Sequence, residues 1–235
     1  MTTGWNLGEL RNHVERLFGQ WQRDALNPCL KTIVERRDFA RFHYSEAARL
    51  LSEAIGDREQ FEMVGVMTGA YDKEPGDFEW ARFQASAHVS ACVHSMHSLA
   101  DIAGHMVYLA FGMNRDPTKE LSEKELTVYR VRDRLESHSI RALLNELLEH
   151  PNFAYLSALN NHSKHRSIVS MPYSVDMTGK DPEGHGMKFA EFLYDGKPHG
   201  PRWAKPFLKQ EYERQEGLIL AIGETLNAEL SNRRG

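Results

Sequence analysis

From Phe83 to Asn114 the chain carries one formally charged side chain, Asp101, and no proline. A helix that is apolar nearly all round has to be buried, either in protein or in lipid. Four histidines (His88, His94, His97, His105) and four serines (Ser86, Ser90, Ser95, Ser98) interrupt the stretch, which sets lipid aside. Its longest unbroken apolar run, Met106 to Met113, falls well below the roughly 18 residues that crossing a bilayer needs. The stretch therefore predicts the long buried central helix of a helical bundle, with Gly104 allowing a close neighbour or a slight bend.

Elements on either side are built to pack on such a helix. Leu7, Leu10, Val14, Leu17, Phe18 and Trp21 form an amphipathic stripe that Asn27-Pro28 is expected to stop. Leu30, Ile33, Val34, Phe39 and Phe42 mark a second helix, and Ser45 is placed to cap a third that ends at Gly56. A short helix with Phe61, Val64 and Met67 precedes a turn at Lys73-Glu74-Pro75-Gly76. After Asp116-Pro117, Ser122-x-x-Glu125 has the form of a capping box opening a helix that runs by way of Leu126, Tyr129, Leu135, Leu143, Leu144 and Leu147 towards His150. Pro151 suits the first turn of the next helix, to about His165. Alternation in Ser167–Val175 and Met187–Tyr194, each followed by a Gly-rich segment, predicts a β-hairpin insert at about 167–195. Leu208 to Leu230 makes the last helix. With no repeat, low-complexity tract or long linker, residues 1–235 are expected to form one mainly α domain.

The 235 residues are 41% hydrophobic and 26% charged, as in ordinary globular proteins. Lys+Arg number 29 against Asp+Glu 33, so any contact with nucleic acid or an anionic membrane needs a local patch rather than a global field. Cys29 and Cys92 form no Cys-x-x-Cys pair, which disfavours a zinc ribbon or a disulfide framework. The start, Met-Thr-Thr-Gly-Trp-Asn, lacks the basic and apolar segments of a signal peptide, so a cytoplasmic chain with reduced thiols and no membrane contact is expected. Dinucleotide, Walker and nucleophile-elbow signatures are missing from the sequence.

Polar residues cluster in two places. On the long apolar helix, His94, His97, Asp101 and His105 fall at about 0°, −60°, −20° and +20°, a face roughly 80° wide. Groups buried there need partners. Three roles are open to this face: a hydrogen-bonded core network, a supporting shell for a site on a neighbouring helix, or a divalent-metal site. The metal role lacks the Glu-x-x-His pairs that di-metal bundles draw from their helices. The second cluster is Asn160-Asn161-His162-Ser163-Lys164-His165-Arg166, which puts four side chains able to carry positive charge into five residues. Phosphate is held by such groups; equally, Lys164 and Arg166 could complement the negative end of a helix that the asparagines cap.

Asn161-x-x-Lys164-His165-Arg166 after an aromatic-rich helix, with His97-Ser-Leu-Ala-Asp101 upstream on an apolar helix, resembles the HEPN superfamily of all-α bundles found in prokaryotic toxin–antitoxin and abortive-infection systems. The likeness covers roughly Phe83 to Asn114 and Phe153 to Ile168, and is nearest the Cthe-type and AbiU/AbiV-like branches. The family motif is an Arg, about four to six intervening residues, then a His, often with a polar residue directly after the Arg. His165 matches the His, while Asn160 stands at the Arg position with Asn161 as the polar follower. Arg132 and His138 satisfy the spacing literally, with five residues between them.

The resemblance implies a metal-independent ribonuclease or RNA-binding protein of a defence or toxin-type system. It further implies a homodimer around one RNA phosphate, an antitoxin or defence partner, and no cofactor. On that basis His165 is the expected general acid or base, Lys164 and Arg166 neutralise phosphoryl charge, and Asn160 or Asn161 holds the imidazole or the phosphate. His97, Asp101, His162, His94 and His105 are the expected supporting shell. The alternatives are a non-catalytic scaffold with a buried His/Asp network, and a metal-dependent bundle hydrolase using His94, His97, Asp101 and His105.

Overall fold

Residues 5–56, 58, 62–67, 76–181 and 183–233 are described by the structure, a computed structural model of the chain. The fold is mainly α, a helical bundle with short antiparallel strands just before the last helix. No described helix is long and apolar enough to cross a membrane. The residues group into two compact units, each drawn from separate stretches of chain. Four long helices contribute to both: α2 (Gln20–Ile55), α4 (Asp77–Ala110), α7 (Pro151–His165) and α8 (Ala204–Ser231).

The first unit contains the described residues of Met1–Asp38, Met96–Ala154 and Glu213–Gly235. Helix α1 (Leu7–Phe18) starts where the Asn6 side chain accepts a hydrogen bond from the Glu9 amide at 3.1 Å, and ends at Gly19, whose φ is +86°. Helix α2 then corrects an expectation, since it runs through Pro28 instead of stopping there. A proline inside a helix costs about 3 kcal/mol. Leu26, Leu30 and Ile33 are all buried beside it, and each such side chain contributes about 1.5–3 kcal/mol, so burial outweighs the missing amide. Farther on, Ser45 lies inside α2 and caps nothing, while Gly56 ends the helix at φ +62° with its amide on the Ser52 carbonyl.

Gln22, fully buried, donates at 2.7 Å to the Leu109 carbonyl, which ties α2 to α4. Gly104 permits the close neighbour its sequence position promised, because a Cβ there would sit 2.6 Å from Val128 Cα. Ser122 and Glu125 do bond each other, but within a turn. The helix begins later, as α5 (Val128–Arg134) with Thr127 as its cap. Leu135 breaks the expected single helix, and α6 (His138–Glu149) restarts from Ser137.

The second unit contains Phe39–Ser95 and Tyr155–Tyr212 as far as described. It includes α3 (Glu62–Met67); Phe61 and Lys73 to Pro75 lie outside the described residues. Here α2 meets α4 through His43 and His88, whose Nδ1 atoms are 2.9 Å apart. The start of the apolar stretch is not buried: Phe83 and Trp80 are each 60% exposed and stack on one another at 5.4 Å. The insert is more elaborate than one hairpin. Strand β1 (Tyr173–Val175) pairs antiparallel with β2 (His185–Phe189), Tyr173 opposite Met187, and β2 pairs with β5 (Arg202–Trp203). Between them β3 (Phe192–Tyr194) and β4 (Lys197–His199) form a second hairpin. Its two-residue turn, Asp195-Gly196, has positive φ at both positions, the geometry that matches strand twist. Both thiols are buried, Cys29 in the first unit and Cys92 in the second, and burial pushes Cys29 up and Cys92 up to about 12.

Candidate functional site at the end of helix α7

Helix α7 starts as its sequence requires, with Pro151 in the first position and the His150 ring accepting from the Asn152 amide at 3.1 Å. Leu156, Ala158, Leu159 and Asn160 are buried in the second unit. Beyond them the helix emerges: Asn161 and His162 are half-buried, and Ser163, Lys164, His165 and Arg166 are exposed.

Asn160 is the polar residue of the cluster that the core retains, at 3% exposure. Its Oδ1 lies 3.3 Å from His94 Nδ1 and its Nδ2 lies 3.4 Å from Asn161 Oδ1. Asn161 Nδ2 is in turn 3.4 Å from Ser157 Oγ. With the amide set this way, Oδ1 accepts from a protonated Nδ1, and Nε2 becomes the basic nitrogen of the His94 ring. His94, Asn160, Ser163 and Lys164 border a hollow of about 140 Å³, whose remaining wall includes Val169 and Phe189.

The outer residues turn elsewhere. His162 places Nδ1 2.6 Å from the Ser167 carbonyl and its ring edge against Phe192. The Arg166 guanidinium lies over the Tyr194 ring at 5.4 Å. His165, the expected acid or base, projects from the exposed last turn and does not border the hollow. Backbone amides of Arg166 and Ser167 already occupy the His162 carbonyl, so Lys164 and Arg166 are not consumed in capping it.

The histidine/aspartate face of α4 does not act as one group. Asp101 and His94 are exposed, while His97 and His105 are half-buried, because the buried strip of α4 runs through Val93, Met96, Ala100, Ala103 and Val107 instead. In the first unit Asp101 accepts from the Val128 amide at 3.5 Å, at the positive end of α5. His97 stacks on Phe153, 9° from parallel. His105 lies beside Tyr108, and burial pulls its imidazole below the ordinary value. Among the described residues no group of three or more His, Cys, Asp or Glu side chains is placed to hold a metal ion. Arg132 is engaged by Asp133 at 2.9 Å and Glu149 at 3.5 Å, and His138 opens α6, so the literal Arg-to-His spacing spans two helices.

Sequence reasoning missed Tyr194 and Phe192, which flank the exposed turn from the second hairpin. Their alternation signals a strand but not what it faces. What the fold and site define is a helical bundle with a small, largely apolar hollow at one helix end, bordered by one lysine, one histidine and a buried asparagine. Comparison of the chain with protein-family models, with curated proteins and with solved structures finds no match in any of the three.

Proposed function

We propose that this chain is a HEPN-like RNA-processing protein, which holds the RNA backbone at the end of α7 and cleaves it without a metal ion. The observation that carries this is the meeting of the His94 imidazole, the buried Asn160 carboxamide and Lys164 around one hollow. An imidazole oriented by a fixed amide, next to a cation, supplies what transfer of a phosphodiester to a neighbouring hydroxyl requires. His94 Nε2 takes the proton from the ribose 2′-hydroxyl as that oxygen bonds to phosphorus. Because His165 does not border the hollow of its own chain, the His165 of a second copy protonates the departing 5′-oxygen, leaving a 2′,3′-cyclic phosphate. Lys164 offsets the negative charge growing on the phosphoryl oxygens, and Arg166 holds an adjacent phosphate.

The carbonyl end of α7 repels an anion, so attraction has to come from these side chains. Their exposure also supports the arrangement that the family resemblance implies, with a second copy completing the site around one phosphate. Incubating the chain with a panel of end-labelled single-stranded RNAs in EDTA tests the assignment. Cleavage is expected, falling by roughly 10²–10⁴-fold in His94→Ala and in His165→Ala. It should fall by about 10²–10³-fold in Lys164→Ala. Failure of the parent chain to bind or cut any RNA would remove this function.

A further inference from the structure

A second hollow, separate from the end of α7, lies within the second unit and measures about 320 Å³. Its floor is apolar and buried, from Ala47 and Ile55 of α2, Val89 of α4, Met187 of β2 and Leu208 of α8. Protein interiors are close-packed, with few voids larger than a water molecule. This space exists because Ala47, Ala48, Gly186 and Ala204 stand where larger side chains would fill it. Small-molecule sites occupy roughly 300–1,000 Å³ and are mainly apolar with a few convergent polar groups.

The aromatic walls are held in place. Tyr173 is 4% exposed, packs edge-on to Phe78 at 5.2 Å, and shares a hydrogen bond between its hydroxyl and His185 Nδ1. Trp203 donates its indole N–H to Asp181, and Lys188 lies over its ring at 4.5 Å. Tyr44 completes the aromatic lining. At the exposed rim stand Arg58 and Lys205. Arg58 is fixed there by donating Nη1 to the Ala54 and Ile55 carbonyls. Among the described lining residues Glu183 is the one carboxylate, 3.8 Å from Lys205, set against the two cations Arg58 and Lys205.

We propose that this hollow is a binding site for a flat, largely apolar small molecule carrying one acidic group. Its rings lie between Tyr44, Tyr173 and Trp203, and its acidic group faces Arg58 and Lys205. The Tyr173–His185 pair gives the apolar wall a polar point, which favours a ring bearing a hydrogen-bonding atom. Side chains preorganised in this way lose little freedom on binding.

Anilinonaphthalene sulfonate, a fused aromatic with one sulfonate, is the probe, and its uncharged relative N-phenylnaphthylamine is the control. Titrating the intact chain is expected to give saturable enhancement of probe fluorescence at one site. Ala48→Phe, which fills the hollow, and Ser52→Trp, which plugs its mouth, should each weaken binding at least tenfold while the circular dichroism spectrum is retained. Arg58→Ala and Lys205→Ala together should weaken the sulfonate several-fold and leave the uncharged probe unchanged. Absence of saturable binding, or binding indifferent to both filling variants in folded protein, overturns the assignment. Equal losses for the two probes in the double variant overturn the acidic-group requirement.

Discussion

Arg16 reaches the Leu230 and Arg233 carbonyls at the end of α8, both at 2.8 Å, and Arg214 reaches those of Glu146 and Leu147 at the end of α6. Arg115 does the same for Phe18 at the end of α1. At the end of α7, in the second unit, backbone amides have taken the His162 carbonyl, and Lys164, His165 and Arg166 stay at the surface. A cation at a helix end is structural when its donors are consumed by orphan carbonyls. It is available to a ligand when the backbone has closed the helix by itself. Arg58 combines the two conditions, since Nη1 caps α2 while the side chain stands on the rim of the larger hollow.

The contrast can be broken first where packing is tightest. Gly104→Ala pushes a methyl group into the Val128 backbone and is expected to cost about 3 kcal/mol, the upper part of the range for overpacking. Urea unfolding measures it, and a loss under about 1 kcal/mol would show that α4 and α5 can separate at little cost. Next comes the pair that defines the difference. Arg214→Ala should lose about 1.5 kcal/mol, as expected when a charged donor to two carbonyls is removed, whereas Arg166→Ala should change stability by less than about 0.5 kcal/mol. Equal effects would show that the two arginines serve their helix ends alike.

Function should show the reverse order. Lys164→Ala is expected to lower RNA affinity and to reduce the slope of log affinity against log salt by about one unit, with unfolding unchanged. Smallest is a pH effect in the first unit. Burial holds His105 below its ordinary value, so the unfolded chain binds that proton more readily than the folded one. Stability is therefore fully present above about pH 6.5 and declines as pH falls from there towards the lower folded value. His105→Gln should flatten that decline in a series of thermal melts, and an unaltered slope would show that His105 does not drive it. His43, lowered by burial and then by the nearby His88, provides the matching test in the second unit.

Long-period features were legible in the sequence because they depend on local chemistry. Pro151 starting α7, Gly56 closing α2 and the tolerance for a close neighbour at Gly104 follow from backbone rules alone. Pro28 and Leu135 show where those rules give way. Buried neighbours carried α2 through the first, and the second divides a continuous apolar pattern into two helices. At the candidate site, proximity of Asn160 to Lys164 was implied by helix spacing. That His94, and not Asp101, meets them was not, since a helical wheel gives the direction of a side chain but not which neighbour lies there. The larger hollow was hidden for a different reason: it is made by small residues, Ala47, Ala48, Gly186 and Ala204, dispersed over the chain, and missing volume leaves no motif.

The burial of both thiols has a practical corollary. Thiolates, not thiols, react with alkylating reagents, and Cys29 and Cys92 are buried, which pushes both towards keeping their protons. The native chain is therefore expected to react slowly with maleimides. A single cysteine introduced on the α7 terminal turn or at the mouth of the larger hollow would take a fluorophore or spin label with little background, letting occupancy of either place be followed in the otherwise unaltered protein.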